Sequence, residues 1–321
     1  MNSSFQKWSC CGSSFFVPYV SQKWTLLLII PDFYPHFRCK AGDCQHTCCK
    51  GWEIDIDKDT AAYYQELPGP LGESIRNHIE KGPDAWHFVL TKDEACPFLR
   101  PDGLCRLILE GGEDILCDIC SLHPRFFEVI TDKDGREQEL GGLGLACEAA
   151  CELLLGEKGP LHFSDSEDPS TSKTLAELLI DLGCDLPKEA LTYEPDTSED
   201  AAKRLLAVLS ETEPIDEAWT EALTALQTRP PKREAVQASI ARNQALYQRI
   251  YDYIFYRQLE TFIGVPIKAL SLYANRNTDF IALLATATGD LPEALRRWSE
   301  QIEYDTDNVS LLQDAVLTGR F

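Results

Sequence analysis

"FRCKAGDCQHTCCKGWEIDID" (residues 37–57) changes character half-way along. Its first half crowds Cys39, Cys44, Cys48 and Cys49 into one short stretch. Its second half alternates. Trp52, Ile54 and Ile56 fall on one side and Glu53, Asp55 and Asp57 on the other, the period-two pattern of a short strand. Asp57 or Asp59 then stands where a carboxylate caps a helix over 60–67. Thiols leading into a strand and a capped helix predict a small α+β module organised around its cysteines.

The chain has 321 residues and 13 cysteines, and ten of these lie between Cys39 and Cys151. Cys96 and Cys105 flank a Pro-Asp-Gly turn in "CPFLRPDGLC". Cys117 and Cys120 form a C-x2-C pair, and Cys147 and Cys151 share one helix face at i, i+4. Thiolates spaced in this way can converge on one ion or cluster. Soft sulfur ligands admit both zinc and iron–sulfur, so spacing alone does not choose between them. Two other readings of a cysteine stay open: a small buried hydrophobe, preferred for Cys10, Cys11 and Cys184, and a disulfide partner. His46 and His123 lie close to thiols, but both read as capping or surface contacts, because thiolates alone suffice for a four-ligand site.

Apolar residues near the start are interrupted by Pro18 and Lys23, so no span of about 20 apolar residues forms there. No small-residue cleavage site follows, which argues against a signal peptide. The expected location is a reducing cytoplasm, where clustered thiols favour metal over disulfides. Basic residues number 30 and acidic 52, for a formal charge of -22. The excess is spread along the chain, with 14 basic and 24 acidic residues in 1–155. Such a surface repels phosphate backbones, so nucleic acid is excluded as the expected partner.

Along the chain, "LGESIRNHIEKG" reads as a short helix ended by Gly82. "RLILEGGEDILCDICSLHPR" reads as helical turns around a Gly-Gly break, and "FFEVITDKDGREQEL" as two strands around an Asp-Gly turn. "SDSEDPSTSKT" is polar and reads as linker. Beyond it "TLAELLIDL", "AAKRLLAVLS", "DEAWTEALTAL", the long "REAVQASIARNQALYQRIYDYIFYRQLETF", "LPEALRRWSEQI" and "VSLLQDAVL" are helical. The expected fold is mainly α (α+β): a cysteine-rich metal-binding module with short strands, packed on a C-terminal helical domain. Its expected parts are an N-terminal extension at 1–30, set aside as dispensable, the module at 31–155, a linker at 156–174 and the helical domain at 175–321. The module has little apolar sequence between its turns, so metal is expected to contribute to its folding.

"FRCKAGDCQHTCCKGWEIDID", "CPFLRPDGLC", "LCDICSLHPRFF", "LACEAACELLL", "YIFYRQLE" and "WSEQIEYDTDNVSLL" together resemble the flagellin lysine-N-methylase (FliB) family. The cysteine pattern also resembles a broader family of zinc- or iron-chelating proteins. The first resemblance implies a [4Fe–4S] iron–sulfur protein that moves a methyl group from S-adenosylmethionine to lysines of flagellin or another protein, with no membrane partner. Metal ligands are expected first at Cys39, Cys44, Cys48 and Cys49, then at Cys117 and Cys120, then at Cys96, Cys105, Cys147 and Cys151. The radical S-adenosylmethionine spacing C-x3-C-x2-C is absent, as is a Rossmann-type glycine loop, so no residue is assigned to the methyl donor. Tyr256, Arg257, Glu300, Glu303, Asp305 and Asn308 sit in family-like segments and could line a lysine pocket. For each the plainer expectation is a solvated face or a helix cap. The alternative to an enzyme is a non-catalytic zinc- or iron-binding structural, redox-sensing or interaction protein.

Overall fold

The computed structural model describes residues 27–321, except 133, 158, 185 and 187–190, and the backbone of a hairpin before them. That hairpin pairs Gln6–Cys10 with Ser13–Val17. Cys11 and the side chain of Cys10 lie outside the described residues. Contacts divide the chain into two units, Met1–Thr25 with Phe37–Arg125, and Leu26–His36 with Phe126–Phe321.

The cysteine-rich unit is held by a small apolar core. Asp57 accepts a hydrogen bond from Thr60 N at 2.8 Å and caps the helix Lys58–Glu66. The alternation before it buries Ile54 and Ile56 and places Asp55–Ile56 in a three-stranded antiparallel sheet. Trp86–Phe88 is the central strand and Ile79–Lys81 the far one. The expected helix ending at Gly82 therefore stops earlier. Gly69–Arg76 is helical, and the chain then extends so that Ile79 can enter the core. Tyr64, Phe88 and Phe98 pack through the centre, the first pair tilted and the second edge-to-face, with centroids 6.2 and 5.5 Å apart. Tyr64 donates its hydroxyl to Ile115 O at 2.7 Å, which satisfies its one polar atom.

The second unit combines a five-stranded sheet with most of the helices. Strand order is Lys173–Thr174, His162–Asp165, Leu28–Pro31, Glu137–Leu143, Arg125–Thr131. The last two are the expected hairpin. The centre was not expected. Leu28–Pro31 runs parallel to Glu137–Leu143 and antiparallel to His162–Asp165, with Ile29 and Ile30 buried. Residues 28–30, set aside with the N-terminal extension, are thus structural. The stretch read as linker carries parts of two strands: His162–Asp165 pairs on both sides, with Leu28–Pro31 and with Lys173–Thr174, and the latter forms the sheet edge.

Helices follow the amphipathic segments, with two differences. The long segment breaks at Asn243 into Arg233–Arg242 and Gln244–Arg257. Ile267–Thr288, the longest helix among the described residues, is buried on most of its faces. No helix among the described residues is long and apolar enough to cross a membrane.

Candidate functional site

The thiols of the first unit lie on short turns rather than inside long elements. Gly42 sits against the Pro-Asp-Gly turn so closely that a Cβ there would lie 2.6 Å from Asp102 O. Cys96 N donates to Cys49 O at 2.8 Å, and Leu99 bridges Cys105 across the turn. Cys117 is the N-cap of the helix Asp118–Leu122, and Asp118 N donates to the carboxylate of Asp57 at 3.0 Å. The capping aspartate of one helix thereby fixes the start of the helix that carries the C-x2-C pair.

Cys49, Cys96, Cys105, Cys117 and Cys120 form one electrostatic neighbourhood around the core beneath Tyr64. Their thiols differ. A hydrogen bond from Cys48 lowers Cys49 to about 7, against the effect of its burial. A hydrogen bond from Cys120 holds Cys117 below the ordinary thiol range, and the Cys120 thiol is pushed far above it. Burial pushes Cys96 up to about 12 and raises Cys105. Cys117 and Cys120 are therefore a hydrogen-bonded pair with opposed shifts, Cys49 is lowered by Cys48 from outside the five, and Cys96 and Cys105 are both raised.

Cys39 Sγ accepts from Ala41 N at 3.3 Å, and the Cys44 thiol donates to His46 O at 3.4 Å, both within the first loop. Cys147 and Cys151 belong to the second unit. There the Cys151 thiol donates to Leu145 O at 2.8 Å and is raised by complete burial. Cys96 and Cys105, ranked late in the sequence reading, lie within the neighbourhood. Their spacing across a turn carries no knuckle signature, and only the fold brings them to Cys49. His123 is lowered to about 4 by burial, so its imidazole is neutral.

Among the described residues, one set of three ligand-type side chains has donor atoms all within 4.8 Å, and it is Glu53, Asp55 and His87, not three thiols. His87 Nε2 also lies 3.2 Å from Glu80, and both glutamates are exposed, as in cross-strand surface pairs.

The lysine-pocket candidates separate clearly. Asp305 caps the helix Thr306–Leu317. Asn308 bonds to the backbone of Glu213 and Gln301. Glu300 pairs with Arg296 and Arg297, and Tyr256 bonds to Ile29 O and Gly141 O. Arg257 pairs with Glu128. Glu303 is buried and accepts hydrogen bonds from Ser299 Oγ and the Leu145 backbone.

The fold and the thiol set define a cysteine-rich α+β protein. Its sequence is 28% identical over 141 residues to a lysine-N-methylase of Salmonella choleraesuis (strain SC-B67), covering 42% of this chain and 34% of that protein. The lysine-N-methylase of Salmonella typhimurium matches to the same extent. A flagellar biosynthetic protein FliU of Salmonella muenchen is 26% identical over 151 residues, 45% of this chain and 86% of that protein. The chain thus spans about a third of the length of the curated lysine-N-methylases it matches. No family model and no solved structure matches it.

Proposed function

We propose that this chain takes part in the N-methylation of protein lysine, with flagellin as the substrate and S-adenosylmethionine as the donor. The observation that carries the reading is the similarity to two lysine-N-methylases. The likeness to a flagellar biosynthetic protein supports the choice of substrate.

An iron–sulfur cluster belongs to the same proposal, with Cys49, Cys96, Cys105, Cys117 and Cys120 as the residues that would hold it. Soft thiolates admit both zinc and iron–sulfur, and the preference for a cluster rests on the resemblance to the lysine-N-methylase family. Such a group would supply a redox-active, Lewis-acidic centre. The chain's own contribution is to lower the Cys49 and Cys117 thiols through hydrogen bonds from Cys48 and Cys120.

For S-adenosylmethionine the residues present do not form a recognised cradle. The strand Glu137–Leu143 runs through Gly141, Gly142 and Gly144 into the helix Glu148–Gly156, but the next strand, His162–Asp165, returns antiparallel and not by the parallel crossover of a dinucleotide fold, and no step is derived through the donor. The test is incubation of anaerobically reconstituted protein with flagellin and methyl-labelled S-adenosylmethionine. Label on flagellin lysine, lost in Cys49→Ala, is expected. Colourless protein with stoichiometric zinc and no label would replace this reading with a zinc-stabilised binding protein.

A further inference from the structure

The three-stranded sheet of the first unit carries a row of ligand-type side chains on its solvent face. Asp55 lies opposite His87, and His87 opposite Glu80, across three neighbouring strands. Glu53 stands two residues before Asp55 and so shares its face. The other face is the core, where Ile54, Ile56, Ile79 and Phe88 are buried and the thiol neighbourhood packs. The pleat therefore fixes the row and turns it away from the cysteines.

His87 is its centre. Nε2 lies 3.2 Å from Glu80 Oε1, and Nδ1 lies 3.7 Å from Glu53 Oε1. A carboxylate only accepts, so the hydrogen bond to Glu80 places the ring proton on Nε2. In a neutral ring Nδ1 then presents a lone pair to a carboxylate that also presents lone pairs, which is repulsive unless a cation lies between them. The Nδ1–Oε1 separation is too long for a hydrogen bond. It is close to the roughly 3.4 Å between two donors held about 2.1 Å from one tetrahedral ion. An oxygen of Asp55 completes the set, with all three donor atoms within 4.8 Å of one another. Among the described residues, Glu53 and Glu80 have no ion-pair partner but His87, and Asp55 has none. Gly82 keeps the nitrogen approachable. It donates to Ala85 O at 2.8 Å in the turn before the central strand, and a Cβ on it would stand 3.2 Å from His87 Nδ1.

We propose that Glu53, Asp55 and His87 Nδ1 form a binding site for one divalent transition-metal ion of the zinc or cobalt kind, with Glu80 orienting the imidazole through its other nitrogen. One imidazole nitrogen and two carboxylate oxygens suit such an ion, and two negative charges cancel its two positive ones. Both glutamates are exposed, so water takes the remaining positions. No thiol enters the set, and the site stands whether the cysteines hold a cluster, a zinc ion or neither.

The test is calorimetric titration of the full chain, after anaerobic reconstitution of its thiol centre, with Co2+, Zn2+ and Mg2+. Co2+ and Zn2+ are expected to bind and to compete, and Mg2+ to bind at least tenfold more weakly, because imidazole favours the first two. His87→Gln and Asp55→Asn, both on the solvent face, are each expected to weaken Co2+ binding tenfold or more while iron content and the far-UV spectrum stay unchanged. Crystals soaked in Co2+ are expected to show anomalous density between the three side chains. Equal affinity for Mg2+ would reduce the row to an acidic surface. Undiminished Co2+ binding in both variants, or anomalous density at the cysteines alone, would likewise overturn the proposal.

Discussion

Arg249 and Asp32 form a two-pronged ion pair across 217 residues of chain, with Nη2 3.0 Å from Oδ1 and Nη1 3.3 Å from Oδ2. The guanidinium is 1% exposed and also donates to Leu154 O and Pro160 O at 3.1 Å. It therefore fastens the end of the central strand to the helix Glu148–Gly156 and the loop after it. Asp32→Ala would leave a buried charge with carbonyl partners only. A loss of about 2–4 kcal/mol is expected, near the range for breaking buried pairs, because Asp32 itself is partly exposed. Urea unfolding followed by far-UV dichroism checks this, and an unchanged midpoint would contradict it.

Metal loading should follow the thiol neighbourhood rather than cysteine content. Cys49→Ala and Cys117→Ala are expected to lose most iron and visible absorbance, and Cys184→Ala to keep both. Iron per chain, measured by elemental analysis after anaerobic reconstitution, decides the matter. Equal iron in all three variants would place the ligands elsewhere.

Asp252 supplies a pH dependence. Burial raises its carboxyl to about 7, although Gln248 donates to it at 2.8 Å and Arg249 lies near. The folded value lies above the unfolded one, so folding takes up a proton between the two. The contribution to stability is full below the unfolded pKa, near 4, and is lost as pH rises through about 7. Asp252→Asn should therefore gain on wild type by on the order of 2–4 kcal/mol between pH 4.5 and 7.5. Paired denaturation curves at the two pH values would show it, and a constant gap would count against it.

Gly42 and Gly103 allow the first cysteine loop to lie on the Pro-Asp-Gly turn. Gly42→Ala puts a methyl group 2.6 Å from a backbone oxygen that has no rotamer to escape into. A cost of about 1–3 kcal/mol is expected, the usual range for overpacking. Thermal melting of the apoprotein reads it directly, and a wild-type melting temperature would refute the close approach.

What was legible in the sequence was local. Asp57 caps its helix and the Ile54–Ile56 alternation enters the core, because capping and pleat are decided within a few residues. The Asp-Gly hairpin is legible for the same reason. The central strand Leu28–Pro31 was not, since its parallel partner lies more than a hundred residues away and no turn announces it. Ile267–Thr288 escaped because burial on most faces erases the one-sided stripe that marks a surface helix. The thiol neighbourhood was half visible. The C-x2-C pair stands out, while Cys96 and Cys105 reach Cys49 only through a strand bridge.

Arg125 lies 5.0 Å over the ring of Phe37. These are the last and the first residues of the 37–125 stretch, so the chain leaves that stretch beside the point where it enters. Nearly ninety residues thus form a closed detour between two adjoining points of a backbone that continues at Phe126. A ribosome delivers the whole detour before it delivers the strand at 137–143 that completes the central pairing. The thiols can therefore gather while the rest of the protein is still waiting for its sheet. A short glycine-rich bridge in place of residues 38–124 would span the same gap.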